Sequence, residues 1–224
     1  MTSRLPRFED VADALRQGLE GLYSWADGKY GRHENIAGEW ECEYPAWHEI
    51  WPPVEQLILL GEERALGREV VELVLDAMAR DNETEQIADF VAERPNVVEV
   101  VATAAVRHRD PGARWQAAVA VGRCASIGPD EAERLLVPFR ADNDEYVRRR
   151  AMLALSRKAP RSPEVLAWAM EAWASGHEYQ RMAALEVVHS ARDARFQEWA
   201  LEASRGSDGH LRAFASKMVL AEGG

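Results

Sequence analysis

One pattern of small, apolar and charged positions occurs four times in the second half of the chain. Each copy contains an arginine, a small residue three positions after it, and apolar or small residues six and seven positions after it. An aspartate stands four residues before the arginine in three copies, and a histidine takes its place in the other. The copies occupy residues 110–121, 144–155, 177–188 and 208–219, and their arginines, Arg114, Arg148, Arg181 and Arg212, lie 34, 33 and 31 residues apart.

These offsets predict helices, because positions 0, 3, 4 and 7 share one face of a helix with about 3.6 residues per turn. An aspartate at the start suits the first turn, where its side chain accepts hydrogen bonds from free backbone N–H groups. A second amphipathic segment precedes each copy, at residues 97–105, 132–139, 165–173 and 196–203, and turn signals separate the segments. Repetition of helix pairs at this period predicts an α-solenoid.

The repeated helix resembles the second helix of a HEAT repeat of the short bacterial type. The resemblance rests on an aspartate, an arginine that follows an apolar residue, and alanines on one face, and it covers roughly residues 96–222. The matching residues are Asp110, Arg114, Ala117, Asp144, Val147, Arg148, Ala151, Ala154, Leu155, Arg181, Ala184, Asp208, Leu211, Arg212 and Ala215. The resemblance implies an all-α, right-handed α-solenoid that binds a partner, since such solenoids only occasionally host chemistry.

The N-terminal part of the chain lacks the repeat. Apolar residues at helical spacing predict a first helix over residues 8–23. Residues 24–53 lose this spacing but contain four of the eight tryptophans, which favours an ordered, aromatic cap of the solenoid over a flexible linker. Within that segment, polar and apolar residues alternate over residues 39–44, which predicts a short strand or extended ribbon. Helical spacing returns at residues 54–60, 66–78 and 84–93.

These elements predict two regions. Residues 1–62 would form the first helix and the acidic, aromatic-rich cap, and residues 63–224 would form one degenerate and four clear helix pairs, packed as a single domain. Of the 224 residues, 47% are hydrophobic, but no apolar run approaches the ~18 residues of a membrane span, and no signal peptide is visible. Cys42 and Cys124 are expected to be free thiols in a reducing cytoplasm.

Acidic residues are concentrated toward the N-terminus. The formal net charge is −11, and residues 1–95 carry 21 acidic and 9 basic side chains, whereas residues 96–224 carry 17 and 18. Residues 33–63 contain eight glutamates and no lysine or arginine, and aromatic side chains are interleaved among them. Nucleic acid repels a chain of this charge, so we expect no nucleic-acid partner. A basic protein partner suits the charge better.

Candidate catalytic chemistry is sparse in the sequence. Three His-Glu pairs resemble motifs of the di-iron hydroxylases built on HEAT repeats, but only His177-Glu178 lies in a repeat, and no zinc motif occurs. Phosphate-binding glycine loops and nucleophile elbows are also missing. The four repeated arginines could form a phosphate ladder, although arginines at such positions more often bond across neighbouring turns. We therefore predict no metal, no cofactor and no catalytic residue.

The pattern as a whole favours a monomeric, cytoplasmic protein-binding module of the adaptor or toxin-neutralising, immunity-like kind. Two alternatives remain open. One is a HEAT-like DNA glycosylase that flips out alkylated purines. The other is a HEAT-repeat metal-dependent hydroxylase. The residues that the glycosylase would use are Trp115, Asp144, Arg148, Arg149 and Trp173.

The predicted partner-binding residues lie mostly in the acidic aromatic segment. Its side chains either cover the end of the solenoid or dock a partner, and both uses are compatible. Trp115 is added because it lies off the apolar stripe of its helix, where exposure is expected unless neighbouring loops cover it. The full set is Glu39, Trp40, Glu41, Glu43, Tyr44, Trp47, Trp51, Trp115 and Arg149.

Overall fold

The computed structural model describes residues 7–31 and 40–222. Every regular element within these ranges is a helix, and no strand occurs there, which confirms the prediction of an all-α protein. The chain divides into two compact units, an N-terminal unit, Met1–Ile127, and a C-terminal unit, Gly128–Gly224. None of the helices in the described ranges is long and apolar enough to cross a membrane. The two regions predicted from the sequence, with a boundary at residue 62, stay a prediction.

The N-terminal unit contains six α-helices and two short 3₁₀ turns in its described residues. The helices are α1 (Phe8–Tyr30), α2 (Trp51–Glu63), α3 (Arg68–Met78), α4 (Gln86–Ala92), α5 (Pro95–Ala105) and α6 (Pro111–Arg123). The 3₁₀ turns, Trp40–Glu43 and Trp47–Glu49, lie between α1 and α2. Helix α1 contacts α2 and α3, and α6 packs against α3, α4 and α5. Because three helices surround it, most of α6 is buried.

The described part of the C-terminal unit consists of three helix pairs and a 3₁₀ turn, Val137–Ala141, between the helices of the first pair. The helices are α7 (Pro129–Leu136), α8 (Glu145–Lys158), α9 (Pro163–Ala174), α10 (Glu178–Ser190), α11 (Arg195–Arg205) and α12 (Gly209–Glu222). Each second helix packs against the first helix of its own pair, and α10 also contacts both α8 and α12. Together with α5 and α6, these pairs confirm that all four repeat copies, and the segments before them, are helical.

Side-chain caps and prolines set where the helices begin. Asp144 accepts hydrogen bonds from the backbone N–H groups of Tyr146 and Val147, at 2.8 and 3.2 Å, and so caps α8. Asp110 accepts one from Gly112 N at 2.8 Å and caps α6. Proline occupies the first position of α5, α6, α7 and α9, where its missing N–H has no helical partner to lose. The role predicted for the repeat aspartates is confirmed at these two positions.

The strand predicted over residues 39–44 is wrong for the residues that the structure describes there. Trp40–Glu43 is a 3₁₀ turn, and Tyr44 N donates to Glu41 O at 3.0 Å. Alternating polar and apolar side chains do not suffice for a strand, because its backbone groups also need a neighbouring strand to pair with. The turn instead brings Trp40 and Tyr44 against Trp25, with ring centroids 6.5 and 5.4 Å from it.

The first helix continues past its predicted end near Tyr23 and stops at Tyr30. Leu22 and Ala26 are both fully buried, so the apolar face of α1 runs on through this stretch. Trp25 therefore belongs to the helix and not to the segment that follows. The other predicted helices of the N-terminal unit, at residues 54–60, 66–78 and 84–93, are confirmed as α2, α3 and α4.

Candidate functional site

The repeated arginines have structural roles within the fold. In three of the four copies the guanidinium donates to the backbone carbonyl six residues earlier, in the turn that precedes its own helix. These bonds join Arg114 to His108 at 2.9 Å, Arg148 to Asp142 at 2.6 Å and Arg212 to Gly206 at 3.3 Å. Arg181 differs, because its guanidinium lies 4.1 Å from the Trp173 ring centroid and pairs with Glu202. All four guanidinium groups are engaged within the chain, which matches the structural use and not a phosphate ladder.

The aromatic segment of the N-terminal unit is partly a packed cluster. Trp40 and Tyr44 are each only 7% exposed and pack against Trp25 of α1. Trp47 and Trp51 are half-buried and stack on each other, with centroids 5.6 Å apart and planes 18° apart. Of the four predicted aromatic residues, the first two therefore cover the helices beneath them, and the last two keep an accessible face.

The predicted glutamates differ in their surroundings. Glu39 lies outside the described residues. Glu41 is 1% exposed and accepts a hydrogen bond from Asn82 Nδ2, so it is not part of an exposed acidic surface. The Glu43 side chain is 62% exposed and pairs with Lys29, whose hydrogen bond lowers the pKa of the Glu43 carboxyl. Of the two described glutamates, Glu43 alone faces solvent.

Trp115 is buried, with 7% of its surface exposed, because α6 is enclosed on several sides. The other residues proposed for base flipping also have structural contacts. Asp144 caps α8, Arg148 holds the preceding turn, and Trp173 stacks on Trp199 with centroids 4.5 Å apart and planes 3° apart. No observation in the described residues gives these side chains the free, converging arrangement that base flipping needs.

An exposed aromatic ridge lies on the C-terminal unit, at the N-terminal ends of α8, α10 and α12. Tyr146 and Tyr179 are 37% and 40% exposed, and the His210 side chain is 72% exposed. The Arg149 guanidinium joins the two tyrosines, 4.7 Å from one ring centroid and 5.2 Å from the other. Tyr179 and His210 stack at 6.1 Å with planes 28° apart. These four residues are called the tyrosine ridge below.

Hydrogen bonds between successive second helices support the tyrosine ridge. Gln180 Nε2 donates to the backbone and side-chain oxygens of Glu145, at 3.0 and 3.2 Å. Glu178 Oε1 accepts from the backbone N–H groups of His210 and Leu211, at 2.9 and 3.1 Å, and so caps α12 from the preceding pair. These bonds therefore fix the positions of α8, α10 and α12, which carry the ridge, relative to one another.

Three members of the ridge stand at one place in the repeat, two residues before the repeated arginine. In the first copy that place is Gly112, where a Cβ would lie 2.8 Å from Ala79 O, so no side chain fits. Of the ridge, only Arg149 is among the predicted partner-binding residues. An alignment of the four copies would have shown Gly, Tyr, Tyr and His at this place, although it could not have shown that the rings are exposed.

Metal binding finds no support in the described ranges. No group of three or more His, Cys, Asp or Glu side chains among residues 7–31 and 40–222 could hold a metal ion. The pair His33-Glu34 lies outside these ranges.

Comparison with protein-family models, with curated proteins and with solved structures finds no match for this chain. The HEAT-repeat resemblance therefore stays a prediction.

Proposed function

We propose that this chain is a non-catalytic protein-binding module, of the adaptor or toxin-neutralising, immunity-like kind, and that the tyrosine ridge is its main contact surface. The ridge carries the proposal, because tyrosine and arginine are enriched among the residues that dominate binding energy at protein interfaces. Tyr146, Tyr179 and Arg149 present both types side by side, on helices whose relative position is fixed by hydrogen bonds. Such a preformed aromatic surface loses little side-chain freedom on binding.

The architecture that we propose is a right-handed, HEAT-like α-solenoid. Two observations support it within the C-terminal unit. Helix α10 packs against both α8 and α12, so second helices neighbour one another as in a stack of repeats. The bonds from Gln180 to Glu145 and from His210 N to Glu178 join residues 35 and 32 positions apart, which is close to one repeat. Stacked repeats of this kind typically offer extended binding surfaces.

The partner in this proposal is basic. The chain carries 38 acidic and 27 basic side chains, and the excess lies in residues 1–95. A net charge of this size raises the association rate of an oppositely charged protein. High salt screens the charge and reduces this effect. The tyrosine ridge would then supply short-range affinity, while the acidic residues supply attraction over longer distances.

A capture experiment with matched variants tests the proposal. The wild-type chain, a Tyr146→Ala/Tyr179→Ala double variant and a Met170→Ala control would each be incubated with lysate of the native cells, and bound proteins quantified by mass spectrometry. Met170 is 50% exposed on α9, so the control removes an exposed apolar side chain away from the ridge.

We expect the wild type and Met170→Ala to capture equal amounts of one basic protein. The double variant should capture at least ~10-fold less of it, because two interface tyrosines are lost. Circular dichroism would establish that the double variant is folded. Equal capture by all three chains would remove the ridge from the binding surface. Capture of nucleic acid in place of protein would contradict the proposed function itself.

A further inference from the structure

A cavity of about 150 Å³ lies in the N-terminal unit, between the aromatic segment and the turn that joins α3 to α4. Its lining consists of Glu41, Cys42, Trp47, Trp51 and residues 80–84. The cavity reaches the surface, because Glu83 and Thr84 in this lining are exposed. Its inner wall, in contrast, is buried. Glu41 and Asp81 are only 1% and 2% exposed, and the indoles of Trp47 and Trp51 stack beside them.

The size of the cavity limits what it can receive. Pockets for cofactors and drug-sized ligands usually measure about 300–1,000 Å³, whereas a cavity of about 150 Å³ accommodates a molecule the size of benzene. A nucleotide or a cofactor therefore does not fit within 150 Å³. The planar end of a single side chain does.

The net negative charge of the cavity lining favours a positively charged ligand. Three of the lining residues, Glu41, Asp81 and Glu83, are acidic, and Arg80 is the single lysine or arginine. Arg80 already pairs with Asp110 and lies 5.9 Å from the Trp40 ring centroid. Buried carboxylates are costly unless positive charge and hydrogen bonds compensate them. A positively charged group from outside is the complement of this wall.

A guanidinium fits the wall better than an ammonium does. It is planar, stacks on aromatic faces and forms forked hydrogen bonds with carboxylates, whereas an ammonium is a strongly hydrated point charge. The chain itself combines arginine, tryptophan and a carboxylate in this way at two places. The two sets are Arg80, Trp40 and Asp110, and Arg181, Trp173 and Glu202. The cavity lining provides the indoles and carboxylates of a third combination of this kind.

We propose that this cavity binds the guanidinium end of one arginine side chain, packed against the stacked pair of Trp47 and Trp51 indoles and hydrogen-bonded to Glu41 and Asp81. That the arginine belongs to a protein partner rests on the proposed function, whereas the guanidinium pocket itself does not. Burial raises the pKa of the Asp81 carboxyl, against the hydrogen bonds from Thr84, Ile87 N, Trp51 and Gln86 N, so these bonds do not fully offset the cost of burying this charge.

A titration without any partner protein tests the pocket directly. The indole N–H signals of ¹⁵N-labelled protein would be followed by NMR, with Trp47→Phe and Trp51→Phe variants to assign them. The probe is Nα-acetyl-arginine methylamide, and its neutral isostere, Nα-acetyl-citrulline methylamide, is the control. We expect saturable shifts of both indole signals, with a dissociation constant on the order of 1–10 mM for the arginine compound, and at least ~10-fold weaker binding of the citrulline compound.

Two variants and a control locate the site. Asp81→Asn and Glu41→Gln should each weaken the arginine compound at least ~10-fold, and Glu55→Gln, at an exposed position of α2, should leave it unchanged. Because Glu41 and Asp81 are both deeply buried, the comparison of the arginine and citrulline compounds on the wild type decides the question if either variant fails to fold. Equal binding of arginine and citrulline compounds, unshifted Trp47 and Trp51 signals, or wild-type affinity in Asp81→Asn would each overturn the pocket. A working pocket combined with equal capture by the ridge variants would instead refute the ridge alone.

Discussion

Replacing Arg148 by alanine distinguishes a structural arginine from a ligand-binding one. Arg148 Nη1 donates to Asp142 O at 2.6 Å and to Asn143 O at 3.0 Å, and the residue is half-buried. A hydrogen bond that involves a charged group contributes about 1.5–3 kcal/mol to stability. Both bonds come from one nitrogen and Asn143 is exposed, so we expect a total loss within this range and not twice as much.

Equilibrium unfolding in urea, followed by circular dichroism, measures this loss. The matched control is Arg157→Ala, because Arg157 lies on the same helix and is exposed. We expect the free energy of unfolding to fall by about 1.5–3 kcal/mol in Arg148→Ala and to change by less than about 0.5 kcal/mol in Arg157→Ala. Equal, small losses in the two variants would refute the structural role, and a phosphate ladder would become the better explanation of the repeated arginines.

Three further outcomes follow from burial and charge. Ala151 on α8 is fully buried, so Ala151→Leu should lower the free energy of unfolding by roughly 1–3 kcal/mol through overpacking, and an unchanged urea midpoint would show that this face is not packed. Burial raises the pKa of Asp81 above its unfolded value of about 3.9. Between these two pKa values the folded state binds more protons than the unfolded state, so stability falls as the pH rises through this window. In Asp81→Asn this pH-dependent contribution to stability should be missing. If the free energy of unfolding changed with pH in parallel in the two proteins, the raised pKa of Asp81 would be contradicted. Finally, with a formal charge of −11, the protein should bind duplex DNA no more tightly than ~10⁻⁴ M at physiological salt, and a mobility shift at lower protein concentration would count against this.

The helix pairs could be predicted because their signal is local. Val147, Ala151, Ala154 and Leu155 share one face by spacing alone, and all four are buried in the structure. The same reasoning places Asp144 in the first turn, where it caps α8. Repetition strengthens these inferences, since an accidental pattern does not recur at an almost constant period.

Predictions that depended on distant contacts were less successful. The position of Trp115 on its helix suggested exposure, but α3, α4 and α5 enclose that helix from elsewhere in the sequence. Glu41 is equally unpredictable, because its burial depends on a turn that replaces the expected strand. Tyr146 and Tyr179 form a ridge only because α8 and α10 pack side by side, and spacing within one helix carries no information on that.

Hydrogen–deuterium exchange of the chain, alone and bound to its captured partner, is the most direct test of the proposed binding surface. Backbone N–H groups in the first turns of α8, α10 and α12 exchange through local opening, which a bound partner suppresses, so these turns should respond when they are covered. We predict slower exchange around Tyr146, Tyr179 and His210 in the complex, with little change along α9 and α11. Slower exchange confined to α9 and α11, or none in the C-terminal unit, would contradict binding through the tyrosine ridge.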